Sequence, residues 1–354
     1  MSPLRTTPAR TLPPAAPRTA DWPVNLPYRL SRLALLGAAL SAGLLLSACG
    51  GGDTAPMLAA ADDVKLSTPP GDTALAEADP APALAAKAGS SAPQPTLVSF
   101  TNSDGLTIPG YFYKPSGNGP FPAVVLAHGC SGLFSYSVPA NGLSNIHKEW
   151  AKRLVDAGYA ALLVDSFSPR TPANAPNQSQ CGNGFAGTDE VLDRPKDIVA
   201  GAAWLMQQPS VAAGRLGLLG WSNGGTATLS TMSGTQVQRP FRTAVSFYPG
   251  CGMMNHYGGL AQSSWLPYAP VTILHGSLDP LYTVGACDQR IARATLLGAG
   301  AGQGNGVQMM VYQGAIHSFD MATAVGGSFT ASDVAAKQAA DIAAMAQFDA
   351  ALKN

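Results

Sequence analysis

The sequence predicts an α/β fold, with a mainly parallel central sheet and helices on both faces. Three observations carry that expectation. Short apolar runs occur at 122–127, 160–164 and 216–219. Without polar alternation, they suit strands covered on both sides. Segments with helical spacing separate the runs, as crossover helices do in parallel sheets. The residues with chemistry to offer stand just beyond predicted strands: His128, Asp165, Ser222, Asp279 and His317. Open parallel sheets bind ligands at that carboxyl edge.

Taken in order, 97–102 and 107–113 read as two strands joined by the turn Ser103-Asp104-Gly105. Residues 122–127 form a central strand ending in His128-Gly129-Cys130-Ser131-Gly132. A helix over 145–157 follows, with Trp150, Leu154 and Ala157 at helical spacing and Gly158 as its stop. Strand 160–164 ends at Asp165. The stretch 166–188 is rich in Pro, Asn and Gln and lacks periodicity. A loop that long in a compact domain is usually functional or disordered. Residues 189–207 read as a helix started or interrupted at Pro195. The run 215–220 reads as a strand, with a helix-compatible run at 226–232. Strands 241–247, 271–274 and 307–312 end at Tyr248-Pro249-Gly250-Cys251, His275-Gly276-Ser277-Leu278-Asp279 and Gly314-Ala315-Ile316-His317. Helices are expected over 284–297 and 332–351, the last alanine-rich and capped by Ser332 or Asp333.

Charge is balanced, with 21 Lys+Arg against 21 Asp+Glu. No basic excess points to nucleic acid, and no acidic run to a charged tail. The N-terminal region is different in kind. Arg29 and Arg32 precede an apolar run over 33–46, which leads into Leu46-Ser47-Ala48-Cys49-Gly50. Basic residues, a short apolar stretch and small residues make a secretory signal. A membrane span needs about 18–20 apolar residues, and this run is shorter. Its Leu-Ser-Ala-Cys ending resembles the bacterial lipoprotein signal. The resemblance implies cleavage before Cys49, a lipid on its thiol, and an exported protein anchored to the membrane, in the periplasm or at the outer membrane. The expected organisation is a signal at 1–48, a flexible Ala/Pro-rich tether at 49–95 and a folded domain at 96–354. The Pro-rich residues 1–28 fit either a long n-region or an upstream start.

Cys130, Cys181, Cys251 and Cys287 follow Cys49. An even number in an oxidising compartment suggests disulfides rather than buried thiols. Cys251–Cys287 and Cys130–Cys181 are the favoured pairs among the possible connectivities.

The chemistry centres on Gly220-Trp221-Ser222-Asn223-Gly224-Gly225. A strand, then G-x-S-x-G, then a helix is the setting of a nucleophile elbow. The sharp turn lifts the serine hydroxyl above the sheet, and the glycines let strand and helix pack closely. The helix N-terminus favours a developing oxyanion. A serine hydroxyl needs a base, and the base an orienting acid. In the order Ser, acid, His, the candidates after Ser222 are Asp279 and His317, each just beyond a strand. Of the other histidines, His147 lies in or beside a helix, His256 in a glycine-flanked loop, and His275 too close to the acid loop. Asp320 is a rival acid, more readily a local loop or helix-capping group. Asp165 could act only in a rearranged triad. The oxyanion donors are expected from the N–H groups of Asn223 and Cys130, with His128 holding its loop by hydrogen bonds. Cys130 as a thiol nucleophile lacks the elbow context. Trp221, 166–188 and 253–265 are candidates to line a pocket; Trp221 equally suits packing beneath the elbow. Arg170 suits a structural pair with Asp165 or Asp189 better than an anionic substrate group.

Together, His128-Gly129-Cys130-Ser131-Gly132, Asp165-Ser166-Phe167-Ser168-Pro169-Arg170, Gly220-Trp221-Ser222-Asn223-Gly224-Gly225, Tyr248-Pro249-Gly250-Cys251 and Gly314-Ala315-Ile316-His317-Ser318-Phe319-Asp320 resemble the dienelactone hydrolase family of α/β-hydrolases. The resemblance covers most of 96–353. Where the family typically has cysteine as nucleophile, this chain has Ser222, as serine members also do. It implies an α/β-hydrolase fold, Ser222, Asp279 and His317 as triad, and no metal or organic cofactor. The expected activity is hydrolysis of a small-molecule carboxylic ester through an acyl-enzyme. A peptidase or acyltransferase on the same fold, or a non-catalytic binding lipoprotein, is the alternative.

Overall fold

A computed structural model describes residues 93–135, 142–171, 179–181, 188–252, 256–300 and 304–354. The signal, Cys49, the tether up to residue 92, and 172–178, 182–187 and 253–255 of the candidate pocket segments lie outside them. Among the described residues, no helix is long and apolar enough to cross a membrane.

Eight strands form one sheet: β1 (Thr96–Thr101), β2 (Thr107–Tyr113), β3 (Phe121–Ala127), β4 (Ala160–Val164), β5 (Val211–Trp221), β6 (Phe241–Phe247), β7 (Val271–Gly276) and β8 (Val307–Tyr312). Their order is β1-β2-β4-β3-β5-β6-β7-β8. The β1–β2 and β2–β4 pairs are antiparallel; every later pair is parallel. The helices are α1 (Asn145–Asp156), α2 (Arg194–Met206), α3 (Asn223–Thr231), α4 (Pro280–Thr283), α5 (Ala286–Leu296) and α6 (Ala331–Leu352).

Strand alternation divides the core into two layers. Val125, Ala127, Leu162, Leu218 and Ile273 point to one face, where Ile198 and Ala202 of α2, Leu229 of α3 and Ala294 of α5 cover them. Val124, Leu126, Leu163, Leu219 and Leu274 point to the other, under Trp150 and Leu154 of α1 and Ala340, Ala344 and Phe348 of α6. Both faces are therefore dry. That is why β4 is buried at every position and reads as an apolar run without alternation.

Four expected boundaries move. β5 begins at Val211 because Phe121 of β3 pairs with it; tertiary pairing outweighs the weak strand preference of Ala and Gly there. The helix expected at 189–207 becomes regular only at Arg194. Before it, the Asp189 carboxylate accepts the N–H groups of Val191 and Leu192 and holds a turn. The helix expected at 284–297 starts only at Ala286, after Gly285 at φ 67°, as α5; the short α4 lies before the expected range. The cap of α6 is Thr330, neither Ser332 nor Asp333. Thr330 Oγ1 accepts the Asp333 N–H, and the Asp333 carboxylate accepts the Thr330 N–H in return, a capping box.

Candidate active site

The elbow is built by steric necessity. β5 ends at Trp221, α3 begins at Asn223, and Ser222 between them sits at φ 51° and ψ −116°. A β-carbon on Gly220 would lie 2.2 Å from the Gly224 carbonyl oxygen. One on Gly224 would lie 2.1 Å from that of Ala127 in β3. Only glycine lets helix, strand and neighbouring strand approach this closely. The Ser222 N–H donates to the Phe247 carbonyl of β6 at 2.9 Å, fixing the turn to the sheet. A serine at a helix N-cap usually bonds its own helix. Ser222 does not, and its Oγ lies 3.1 Å from His317 Nε2.

Asp279 follows β7 and His317 follows β8. Asp279 Oδ2 accepts from His317 Nδ1 at 2.8 Å. A carboxylate only accepts, so Nδ1 carries the proton and the neutral ring offers Nε2 to the Ser222 hydroxyl. Burial alone would raise the Asp279 pKa. Hydrogen bonds from His275, His317 and the Leu281 N–H outweigh it and hold the carboxyl well below its ordinary range. The structure thus brings together Ser222, Asp279 and His317, which lie far apart in sequence.

The loop after β3 meets this elbow. A β-carbon on Gly129 would lie 3.7 Å from that of Ser222. Cys130, next in the loop, is disulfide-bonded to Cys181, and its carbonyl accepts the Gln180 N–H at 2.8 Å. The bond leaves no free thiol at Cys130. Asn223 opens α3, where the first N–H groups have no acceptor within the helix. Its side chain is clamped: Oδ1 accepts from Arg194 Nη1 at 2.5 Å, and Nδ2 donates to Glu190. Arg194 is buried; burial lowers its pKa to about 10, against the opposing pull of Asp197 and Glu190. Burial raises Glu190, with the charge of Arg194 acting the other way. His128 Nδ1 meets the Gly129 carbonyl at 2.8 Å. Burial and then Arg194 lower its pKa far enough to keep it neutral, as a holder of its loop.

Several side chains fall elsewhere than expected. Asp320 neither caps a helix nor serves its own loop. It is buried, accepting from Trp221 Nε1 at 2.8 Å and from the Tyr248 hydroxyl at 2.5 Å. Burial raises its pKa to about 6, although Tyr248 and Lys337 pull it down. Trp221 is buried against Trp150 and Phe247, so it packs beneath the elbow. Trp265 is fully buried too and donates to the Leu229 carbonyl. Arg170 does have a structural partner, but it is Asp197, gripped through two hydrogen bonds of 2.8 and 3.1 Å, rather than Asp165 or Asp189. Asp165 accepts the N–H groups of Phe167 and Ser168 and shapes the turn after β4. His147 is buried in α1 beside Ser144, and His256 is exposed.

Glu190, Arg194, Tyr248 and the acid contact of His275 escape sequence reasoning. Tyr248 has φ 37°, and its ring centroid lies 4.5 Å from that of His317. Its position just past β6 was the signal available. His275 is fully buried, with Nδ1 3.3 Å from Asp279 Oδ2. Spacing of four residues across the end of β7 was the signal there. Cys251 and Cys287 form the second disulfide.

Known proteins match this architecture. Residues 108–351 match the dienelactone hydrolase family. A "Probable 2-oxo-3-(5-oxofuran-2-ylidene)propanoate lactonase" of Bradyrhizobium sp. is 31% identical over 140 residues, 39% of this chain and 50% of that protein. The chain's match thus spans about half the length of that curated relative. Among solved structures, a dienelactone hydrolase-like promiscuous phosphotriesterase from metagenomic libraries superposes with a TM-score of 0.50 at 20% identity, covering 73% of this chain and 99% of its own. The Pyrococcus horikoshii acylaminoacyl peptidase superposes with a TM-score of 0.52 at 15% identity, covering 75% and 42%. These structures share the fold. With the family match running from β2 to the last turn of α6, the chain belongs to the dienelactone hydrolase family and has the α/β-hydrolase fold.

Proposed function

We propose that this chain is a serine carboxylic-ester hydrolase acting through an acyl-enzyme. One observation carries the reading: the unbroken line from Ser222 Oγ to His317 Nε2 at 3.1 Å and from His317 Nδ1 to Asp279 Oδ2 at 2.8 Å. A hydroxyl, an imidazole in the right tautomer and a carboxylate kept ionised are the parts that acyl transfer needs.

In this reading His317 Nε2 takes the Ser222 proton as Oγ attacks the ester carbonyl. The carbonyl electron pair moves onto oxygen, which the N–H groups of Asn223 and Cys130 stabilise. The C–O bond to the alcohol breaks and His317 returns the proton to the leaving oxygen. Water then attacks the acyl-serine with His317 again as base, releasing the acid and restoring Ser222. Asp279 holds the ring and balances its transient charge. Glu190 and Arg194 work at a remove, keeping Asn223 in place. Exposed apolar side chains stand beside the acid (Leu278, Leu281, Val284) and beyond the base (Met321), which suits an ester with apolar groups.

Turnover of p-nitrophenyl esters of varied acyl length tests the proposal. Ser222→Ala should lose at least about 10³-fold in kcat/KM and all labelling by a fluorophosphonate probe. Full activity in that variant ends the proposal.

A further inference from the structure

The two residues whose N–H groups are assigned to the oxyanion are both held from the chain between β4 and the start of α2. On the Asn223 side, Glu190 and Arg194 grip the side-chain amide. Cys130 is held by residues 179–181. Cys181 is bonded to it through sulfur. The Gln180 N–H donates to the Cys130 carbonyl at 2.8 Å, with Ser179 Oγ 3.4 Å from the same oxygen. Gln180 is anchored in turn: its Nε2 donates to Oγ1 of the buried Thr188 at 3.1 Å.

What these contacts hold is the peptide plane between Gly129 and Cys130, which carries the donor N–H. Its Gly129 end is pinned from within the loop: the Gly129 carbonyl meets His128 Nδ1 at 2.8 Å and accepts the Gly132 N–H at 3.2 Å. A plane pinned at one end can still swing about it, and glycines at 129 and 132 leave the loop that freedom. The Cys130 end is pinned from outside the loop, by the disulfide at its side chain and by Gln180 at its carbonyl. An oxyanion donor works only when aimed where charge develops, and a shift of about 1 Å can cost about 10²-fold in rate. We propose that Cys181 is a positioning residue of the oxyanion hole: its disulfide aims the Cys130 N–H, and turnover depends on that bond being closed.

The bond can be opened selectively. Cys181 is exposed, whereas Cys251 and Cys287 are buried, and thiol–disulfide exchange needs access to sulfur. One thiolate of a dithiol reductant attacks a sulfur of the Cys130–Cys181 pair and the S–S bond breaks. The second thiol then closes the reductant's own disulfide. Two electrons and two protons pass to the chain, leaving two thiols. The effect on turnover rests on the ester-hydrolase reading; the hold on the loop does not.

The two are measured apart on the full chain, with circular dichroism following the fold. Mild dithiol should expose two further thiols and lower kcat on a p-nitrophenyl ester at least about tenfold, while KM stays within about twofold. Affinity for a trifluoromethyl ketone, which forms the tetrahedral adduct, should weaken in step with kcat/KM, and reoxidation should restore both. Cys181→Ser should show the same losses without reductant and ignore the dithiol. Hydrogen exchange should quicken at the Gly132 and Gln180 amides and stay unchanged in α3. Full kcat in both the reduced chain and Cys181→Ser overturns the proposal. So does a rise in KM at constant kcat, which would place the bond's role in substrate binding, or loss of the fold on reduction and in the variant. If the oxidised chain hydrolyses no ester and takes no fluorophosphonate, the hydrolase reading falls by itself. Exchange then decides the hold on the loop, and unchanged amides overturn that as well.

Discussion

The two sides of the active site are held by different means. On the nucleophile side, β5, Ser222 and α3 are shaped by close backbone approach: two glycines without room for a β-carbon, and a serine at positive φ. On the acid–base side, Asp279 and His317 end separate strands, and buried side chains bring them into line. His275 and the Leu281 N–H hold the carboxylate, while Tyr248 packs on the imidazole and hands its hydroxyl to Asp320. Asp320 also takes the Trp221 N–H from beneath the elbow, so it ties the two sides together. A site made by sterics should fail all at once. One made by a polar network should fail in steps and respond to pH.

The largest effect expected from breaking this contrast is on turnover. Asp279→Asn should leave the elbow in place and cost about 10⁴-fold in kcat, because the wrong imidazole tautomer then faces Ser222. Steady-state kinetics with an unchanged melting curve checks it. A fall of less than tenfold would mean that the acid lies elsewhere.

Gly224→Ala comes next, and its sign is the test. In an ordinary helix that change stabilises by about 1 kcal/mol. Here the added carbon would meet the carbonyl oxygens of Ala127 and His128 at 2.1 and 2.4 Å. A loss of about 3 kcal/mol or more in urea unfolding is expected. A neutral or stabilising result would remove the steric account of the elbow.

The smallest effect concerns the network. Asp320 is raised to about 6 from 3.8, so the fold favours its protonated form. Stability from this group is therefore complete below the unfolded value and is lost as pH rises from about 4 through about 6, by up to about 3 kcal/mol. Asp320→Asn should gain on the unmodified protein by that amount between pH 4 and pH 7. A difference that does not move with pH would mean that burial does not govern this carboxyl.

The inner strands were legible because burial on both faces leaves a nearly unbroken apolar run, and β4 shows it at every residue. The three residues of the candidate triad were legible because each follows a predicted strand in a fixed order, even though β8, before His317, is a half-exposed edge strand. Boundaries were harder to read where tertiary contacts overrode local preference. Gly285 at positive φ delays the start of α5, and pairing with Phe121 extends β5 into Val-Ala-Ala-Gly.

By itself, the sequence determined the sheet, the elbow and the order of Ser222, Asp279 and His317, since local sterics and hydrophobic periodicity are written residue by residue. Only the tertiary structure decided who stands behind them. Asp320 could bind Trp221 and Tyr248, and Arg194 could reach Asn223, only after folding closed gaps of tens of residues. A buried polar group takes its partner from whatever the fold brings within about 3 Å, and no spacing along the chain encodes that choice.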